Sequence, residues 1–389
     1  MQPADINHSE AVDIASLWLH HRLSPSNASI RQPHSVTMNA SFIATAWRKA
    51  VLPRGWLTSL FSVITFLVAL AFLVVPARAE IACNGIDLIT QMERDDPEAL
   101  AAIRAEAAEV ENGKGLLWKI EKEGVTPSYL FGTMHMSDPR VVRLGAGAQA
   151  AFDASSTIII ETTEVLDPAK VMAAMLANPE LAMFTDGTTL SSLVPQDERE
   201  AFDAALAARG IPPASVEKMK PWMLSAMVAL PACEMARKAG GAPVLDAQLA
   251  RQGEAAGKAL GGLETIADQL GAMASLPLEF HIRGLLDTLK LGKTVDDVIE
   301  TMIVLYLGED TGMFWPFFHA ALPAQEQDSG FAAFEEAMVK ARNRTMAERS
   351  VPFIDAGGAF IAVGALHLPG PDGLVTLLRE KGYRIEAVR

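Results

Sequence analysis

Apolar positions along this chain change period twice. At the two ends of the folded part they form short unbroken or alternating runs, the mark of strands; between them they recur at helical spacing. Residues 115–121 read as a strand. Glu123-Gly124-Val125-Thr126-Pro127 is turn chemistry, and Tyr129 to Phe131 is a second strand, so the pair forms a hairpin. The spacing predicts a helix over 139–152. Thr157-Ile158-Ile159-Ile160 is a third strand whose β-branched run implies burial on both faces. A helix between two strands makes part of the sheet parallel.

From 167 to about 349 the periodicity is helical. Helices are expected over 197–209, 221–238 (interrupted or kinked near Pro231), 246–259, 265–273, 287–307, 331–341 and 345–355. The C-terminal piece returns to strand 360–363, a helix 373–381 closed by Gly382, and an alternating strand 383–388. Upstream, 80–115 is helical, with a start at Asp96-Pro97-Glu98 and a stop at Asn112-Gly113. The predicted fold class is α/β: a mixed sheet built from the N- and C-terminal strand units, with a large helical insertion or cap.

Residues 56–75 are apolar and uncharged. Arg48, Lys49 and Arg54 precede them, and Ala77 and Ala79 follow at signal-peptidase spacing. Residues 1–79 therefore read as a leader with a signal peptide, 38–79 being the signal proper if Met38 is the start. The run is also long enough to span a bilayer, so an uncleaved anchor is the alternative. Residues 80–389 are the exported domain, placed in the periplasm or another extracytoplasmic space.

The chain carries a net charge of −14. The leader holds six basic and three acidic residues, so the remainder is more acidic still. That balance argues against nucleic acid as a partner, and leaves the membrane a role only through an uncleaved N-terminal segment. Cys83 and Cys233, the two cysteines of the chain, both follow the leader, and an oxidising compartment pairs them as a disulfide.

Two strand ends share a pattern. Phe131-Gly132-Thr133-Met134-His135 and Val363-Gly364-Ala365-Leu366-His367 each run from an apolar strand through Gly-x-x-His. Strand 157–160 ends on Glu161, with Glu164 the rival acid. A carboxylate at the end of a buried strand is costly unless paired or bound to a metal. His135, Glu161 and His367 are thus expected to meet in one site, either as ligands of a divalent transition metal (Mn, Co or Zn) or as an acid–base set. His281 and His319, beside Phe280 and Phe318, read as structural. Arg342-Asn343 reads on composition alone as a solvated helix face.

The stretch from about 115 to 389 resembles the TraB/GumN family, whose animal relatives include the Tiki proteins. The matching segments are Leu117-Trp118-Lys119-Ile120, Tyr129 to His135, Ile159-Ile160-Glu161, Lys220-Pro221-Trp222, and Leu263-Glu264-Thr265 with Gln269. Arg342 to Ala347, Val363 to Gly370, and Gly373-Leu374-Val375 with Gly382-Tyr383 complete the set. The resemblance implies a fold related to erythromycin-esterase-like proteins. It implies metal-dependent protease chemistry with His135, His367 and Glu161 essential, and it adds Arg342 and Asn343 to the site. The chain departs from typical bacterial members at Leu368-Pro369-Gly370-Pro371, where an added proline stiffens the loop after His367. The expected function is an exported metal-dependent hydrolase acting on peptides, or on another small-molecule substrate. The alternatives are a non-catalytic periplasmic accessory or binding factor in cell-envelope or exopolysaccharide biology, and a metal-free esterase using a histidine as base.

Overall fold

A computed structural model describes residues 82–321 and 330–388, all within one compact unit, Ala79–Arg389. The leader, the signal peptide and the anchor alternative lie outside the described residues. Among the described residues no helix is long and apolar enough to cross a membrane.

Six strands form one mixed sheet: β1 (Leu117–Glu121), β2 (Ser128–Thr133), β3 (Thr157–Ile160), β4 (Ala259–Gly262), β5 (Ala359–Gly364) and β6 (Arg384–Ala387). Their spatial order is β4-β3-β5-β2-β1-β6. β1 pairs antiparallel with β2 and β6, whereas β2, β5, β3 and β4 run parallel. The C-terminal strand β5 is thus inserted between two N-terminal strands. Thr133 lies opposite Gly364, and Ile160 opposite Ala362. All four parallel strands end at the same edge, where open α/β sheets build their sites.

The two-residue period of the strands sorts their side chains onto two faces. Ile158, Ile160, Phe360 and Ala362 join one core with helices Pro97–Ala108, Ala146–Ala154, Leu245–Ala255 and Thr294–Leu307. Ile159, Ile361 and Val363 join the other, under helices Ala341–Ala356 and Leu374–Glu380. A satellite cluster joins helices Arg199–Ala208, Pro221–Val228 and Leu278–Leu291 in the middle of the chain.

The helical middle departs from its predicted pattern in two places and keeps to it in a third. It contains a strand, β4, whose Ala-Leu-Gly-Gly sequence carries no β-branched residue to announce it. The helix expected over 287–307 is two helices separated at Gly292, which adopts φ 56°. The segment 221–238 is interrupted as expected at Pro231, into Pro221–Val228 and Ala232–Ala239. Outside the middle, the helix read over 139–152 starts at Ala146, leaving a long loop after His135. Cys83 and Cys233 are joined as a disulfide across 150 residues.

Candidate active site

β2, β3 and β5 are neighbours, so their exits bring His135, Glu161 and His367 together. The Nε2 atoms of both histidines stand 3.8 Å from the same atom, Glu161 Oε1. Glu161 and His367 are buried, while the His135 side chain is 59% exposed and forms the solvent side of the trio.

The two motif glycines serve close approach, since neither has positive φ. Gly364 donates its N–H to Glu161 Oε1 at 2.7 Å, and a Cβ there would stand 3.3 Å from that oxygen. A Cβ on Gly132 would meet Leu368 Cδ1 at 2.7 Å and Ala365 at 3.1 Å. Gly132 thus packs against the exit of β5, and Gly364 against the Glu161 carboxylate at the exit of β3.

Each imidazole is oriented through its far nitrogen. His135 Nδ1 lies 2.8 Å from Asp246 Oδ2, and Asp246 Oδ1 accepts the Thr133 hydroxyl at 2.6 Å. His367 Nδ1 lies 2.7 Å from Asn343 Oδ1; the Asn343 amide donates to the Asp372 carbonyl, so its oxygen is the atom facing the ring. Both partners accept, so both Nδ1 atoms carry hydrogen and both Nε2 atoms face Glu161.

The second oxygen of Glu161 accepts from Arg342 Nη2 at 2.7 Å and from Gln269 Nε2 at 3.0 Å. Arg342 also grips Glu264 through Nε at 3.0 and 3.1 Å and through Nη2 at 2.6 Å. Its guanidinium is therefore engaged by two buried carboxylates, and its side chain is only 12% exposed. All five residues singled out in the sequence converge. Asp246 was not among them: it lies in the first turn of a helix, where acids are ordinary. Glu264 and Gln269 belong to a matching segment, but their spacing gave them no role. Glu164 accepts the N–H of Ile266 at 2.8 Å, at a helix start. His281 is buried with Nε2 2.9 Å from the Met273 carbonyl, and His319 stacks on Trp315.

The charges of the trio are split. The Asp246 carboxylate pushes His135 up to about 9. Burial pushes His367 down to about 4. Burial works against the ionised Glu161, yet His135, His367, Arg342 and the Gly364 N–H together hold it at about 2. At neutral pH the site holds one imidazolium, one neutral imidazole and one carboxylate.

Two imidazole nitrogens and a carboxylate oxygen are a donor set that suits Zn²⁺, Mn²⁺ or Co²⁺. As placed, the three stand open. Bonds of about 2.1 Å in tetrahedral geometry set ligand atoms about 3.4 Å apart, closer than the 3.8 Å observed. Among the described residues no group of three or more His, Cys, Asp or Glu side chains is placed to hold a metal ion.

A family model described as TraB/PrgY/gumN matches residues 116–387. The chain is similar to metalloprotease TIKI2 of Xenopus tropicalis, 24% identical over 323 residues that cover 71% of this chain and 60% of that protein. It is also similar to metalloprotease TIKI1 of Homo sapiens, 24% identical over 317 residues, covering 69% and 61% respectively. The aligned part thus spans about three-fifths of these relatives' length. No solved structure matches.

Proposed function

From its membership of the TraB/PrgY/gumN family, we propose that this protein is an exported metal-dependent hydrolase that cleaves peptide bonds. The observation that carries the reading is the meeting of two imidazole Nε2 atoms on one Glu161 oxygen at three adjacent strand ends. The names of its TIKI relatives support the peptidase assignment.

In this reading His135, His367 and Glu161 hold the ion. A metal held there would supply Lewis acidity for activating water. Asp246 and Asn343 fix the rings with Nε2 inward, the role outer partners play around metal-ligating histidines. Arg342 and Gln269 hold the second Glu161 oxygen, which leaves Oε1 as the ligand atom. Glu264 offsets the guanidinium charge, so that Arg342 can sit beside a cation site. His135 would have to be neutral to serve as a ligand, and its exposed edge is the solvent side of the site.

A metal-free reading has its own support. The opposite shifts of the two histidines place a proton donor, His135, and a proton acceptor, His367, on either side of one carboxylate. Metal content separates the readings. Residues 80–389 are purified, bound metal is quantified, and the measurement is repeated with His135→Ala. Stoichiometric metal lost in the variant, with peptidase activity, supports the first reading. Activity without metal supports the second. Neither metal nor turnover leaves the accessory-factor function. Export is supported by the Cys83–Cys233 bridge, since such bonds persist in oxidising compartments. A fusion of residues 38–79 to a reporter active only outside the cytoplasm tests it.

A further inference from the structure

The loop that carries His135 is held by one helix face. Helix Ala232–Ala239 presents Glu234, Arg237 and Lys238, residues at i, i+3 and i+4 that share a face. Glu234 is wholly buried, and its Oε1 accepts both the N–H of Ser137 at 2.7 Å and the Ser137 hydroxyl at 2.9 Å. Arg237 donates to Asp138 at 3.1 Å. Lys238 Nζ lies 3.5 Å from the carbonyl oxygen of His135 itself and 3.9 Å from Glu234.

A wholly buried carboxylate is expensive, and a helix packs as well with an apolar residue in its place. Here the other oxygen, Oε2, makes no hydrogen bond and faces Arg237 at 3.6 Å. Besides facing Arg237 and Lys238, the carboxylate uses its hydrogen-bonding capacity on two bonds from Ser137, two residues past His135. The residue before Glu234 is Cys233, bridged to Cys83. The segment after Cys83 is pinned in turn: the Ile86 N–H meets Asp297 and the Leu88 N–H meets Thr301, each at 2.8 Å. Both acceptors lie on helix Thr294–Leu307, which packs in the core beneath the sheet.

We propose that Glu234 is a positioning residue for His135, acting through Ser137 and anchored by the Cys83–Cys233 bridge. Opening the bridge then loosens the His135 loop before it unfolds the domain. The inference rests on the reading of His135 as a site residue, but its test needs neither substrate nor metal, so it fails independently of the hydrolase assignment.

The test follows amide exchange at 134–138 and the imidazole NMR signals of His135 and His367 in the intact chain. Glu234→Leu and the Cys83→Ser/Cys233→Ser pair are expected to speed exchange at Ser137 by about tenfold or more. They are expected to shift the His135 ring while leaving the His367 ring in place. Glu234→Gln keeps an acceptor oxygen and is expected to restore the wild-type pattern. Unchanged exchange at Ser137 in the disulfide-free protein overturns the anchor. Both rings moving together with a general fall in protection overturns the positioning role in favour of a structural one. If Glu234→Leu does not fold, Glu234→Ala and reduction of the intact protein carry the same readout, and an unmoved His135 ring in both overturns the proposal.

Discussion

Glu161 carries five contacts, and those that are hydrogen bonds all ask it to accept. Oε1 accepts the Gly364 N–H and faces two imidazoles, while Oε2 accepts from Arg342 and Gln269. Every immediate partner that bonds it is a donor, so Glu161→Gln turns an NH₂ toward a donor whichever way the amide lies. The change is near-isosteric but not neutral. It is expected to destabilise by about 1–3 kcal/mol, the cost of leaving buried donors unpaired, and to cut turnover at least about a hundredfold. Denaturant titration and a peptidase assay check the two parts. The histidines set opposite pH slopes. His135 has its folded pKa raised to about 9, so its contribution is full below about 6.5 and is lost as pH rises through about 9. His367, lowered to about 4, contributes above about 6.5 and loses that as pH falls through about 4. Asp246→Asn is expected to return the His135 titration toward its ordinary range and to flatten only the alkaline slope, read by NMR titration and by stability against pH. At this scale the two histidines and Glu161 were legible because strand ends and glycines marked them. Asp246 was not legible, because an acid at a helix start has an ordinary explanation. Arg342 looked solvated because its two carboxylate partners, Glu161 and Glu264, come from distant strand ends.

At the scale of elements, strands were easier to read than helix limits. The β-branched run of β3 and the unbroken apolar run of β5 declare themselves through burial. β4 does not, because its glycines accept close approach instead of packing: a Cβ on Gly261 would stand 2.6 Å from Ile159 Cδ1. The exits of β2 and β5 work as a pair, and their glycines are the place to test it. Gly364→Ala adds a Cβ 3.3 Å from Glu161 Oε1 and 3.5 Å from His367 Cδ2, so the carboxylate must give by a few tenths of an ångström. The expected result is a loss of metal affinity of about tenfold, comparable to disturbing an outer partner. Stability should change by less than about 2 kcal/mol. Metal titration alongside thermal unfolding distinguishes this from general damage, which would lower both together.

For the whole molecule, the arrangement that makes the site is the insertion of β5 between β3 and β2. No local pattern states that order. Two matching Gly-x-x-His units indicate that the chain's ends meet, but the neighbour relation of three strand exits is a property of the complete sheet. Under the metal reading, ion binding would read out that relation. At pH 7 a bound ion must find Glu161 and His367 already deprotonated and must displace one proton, from His135, because only that group titrates above neutrality. Calorimetric titration of Zn²⁺ in buffers of different ionisation enthalpy is therefore expected to report release of about one proton per ion at pH 7. The number should fall toward zero as pH rises past about 9, where His135 is already neutral. The His135→Ala variant should bind more weakly and release none. Binding with no proton release in the wild-type protein would mean that the ion does not use His135. The three strand ends would then hold an acid–base set in which the histidine keeps its proton.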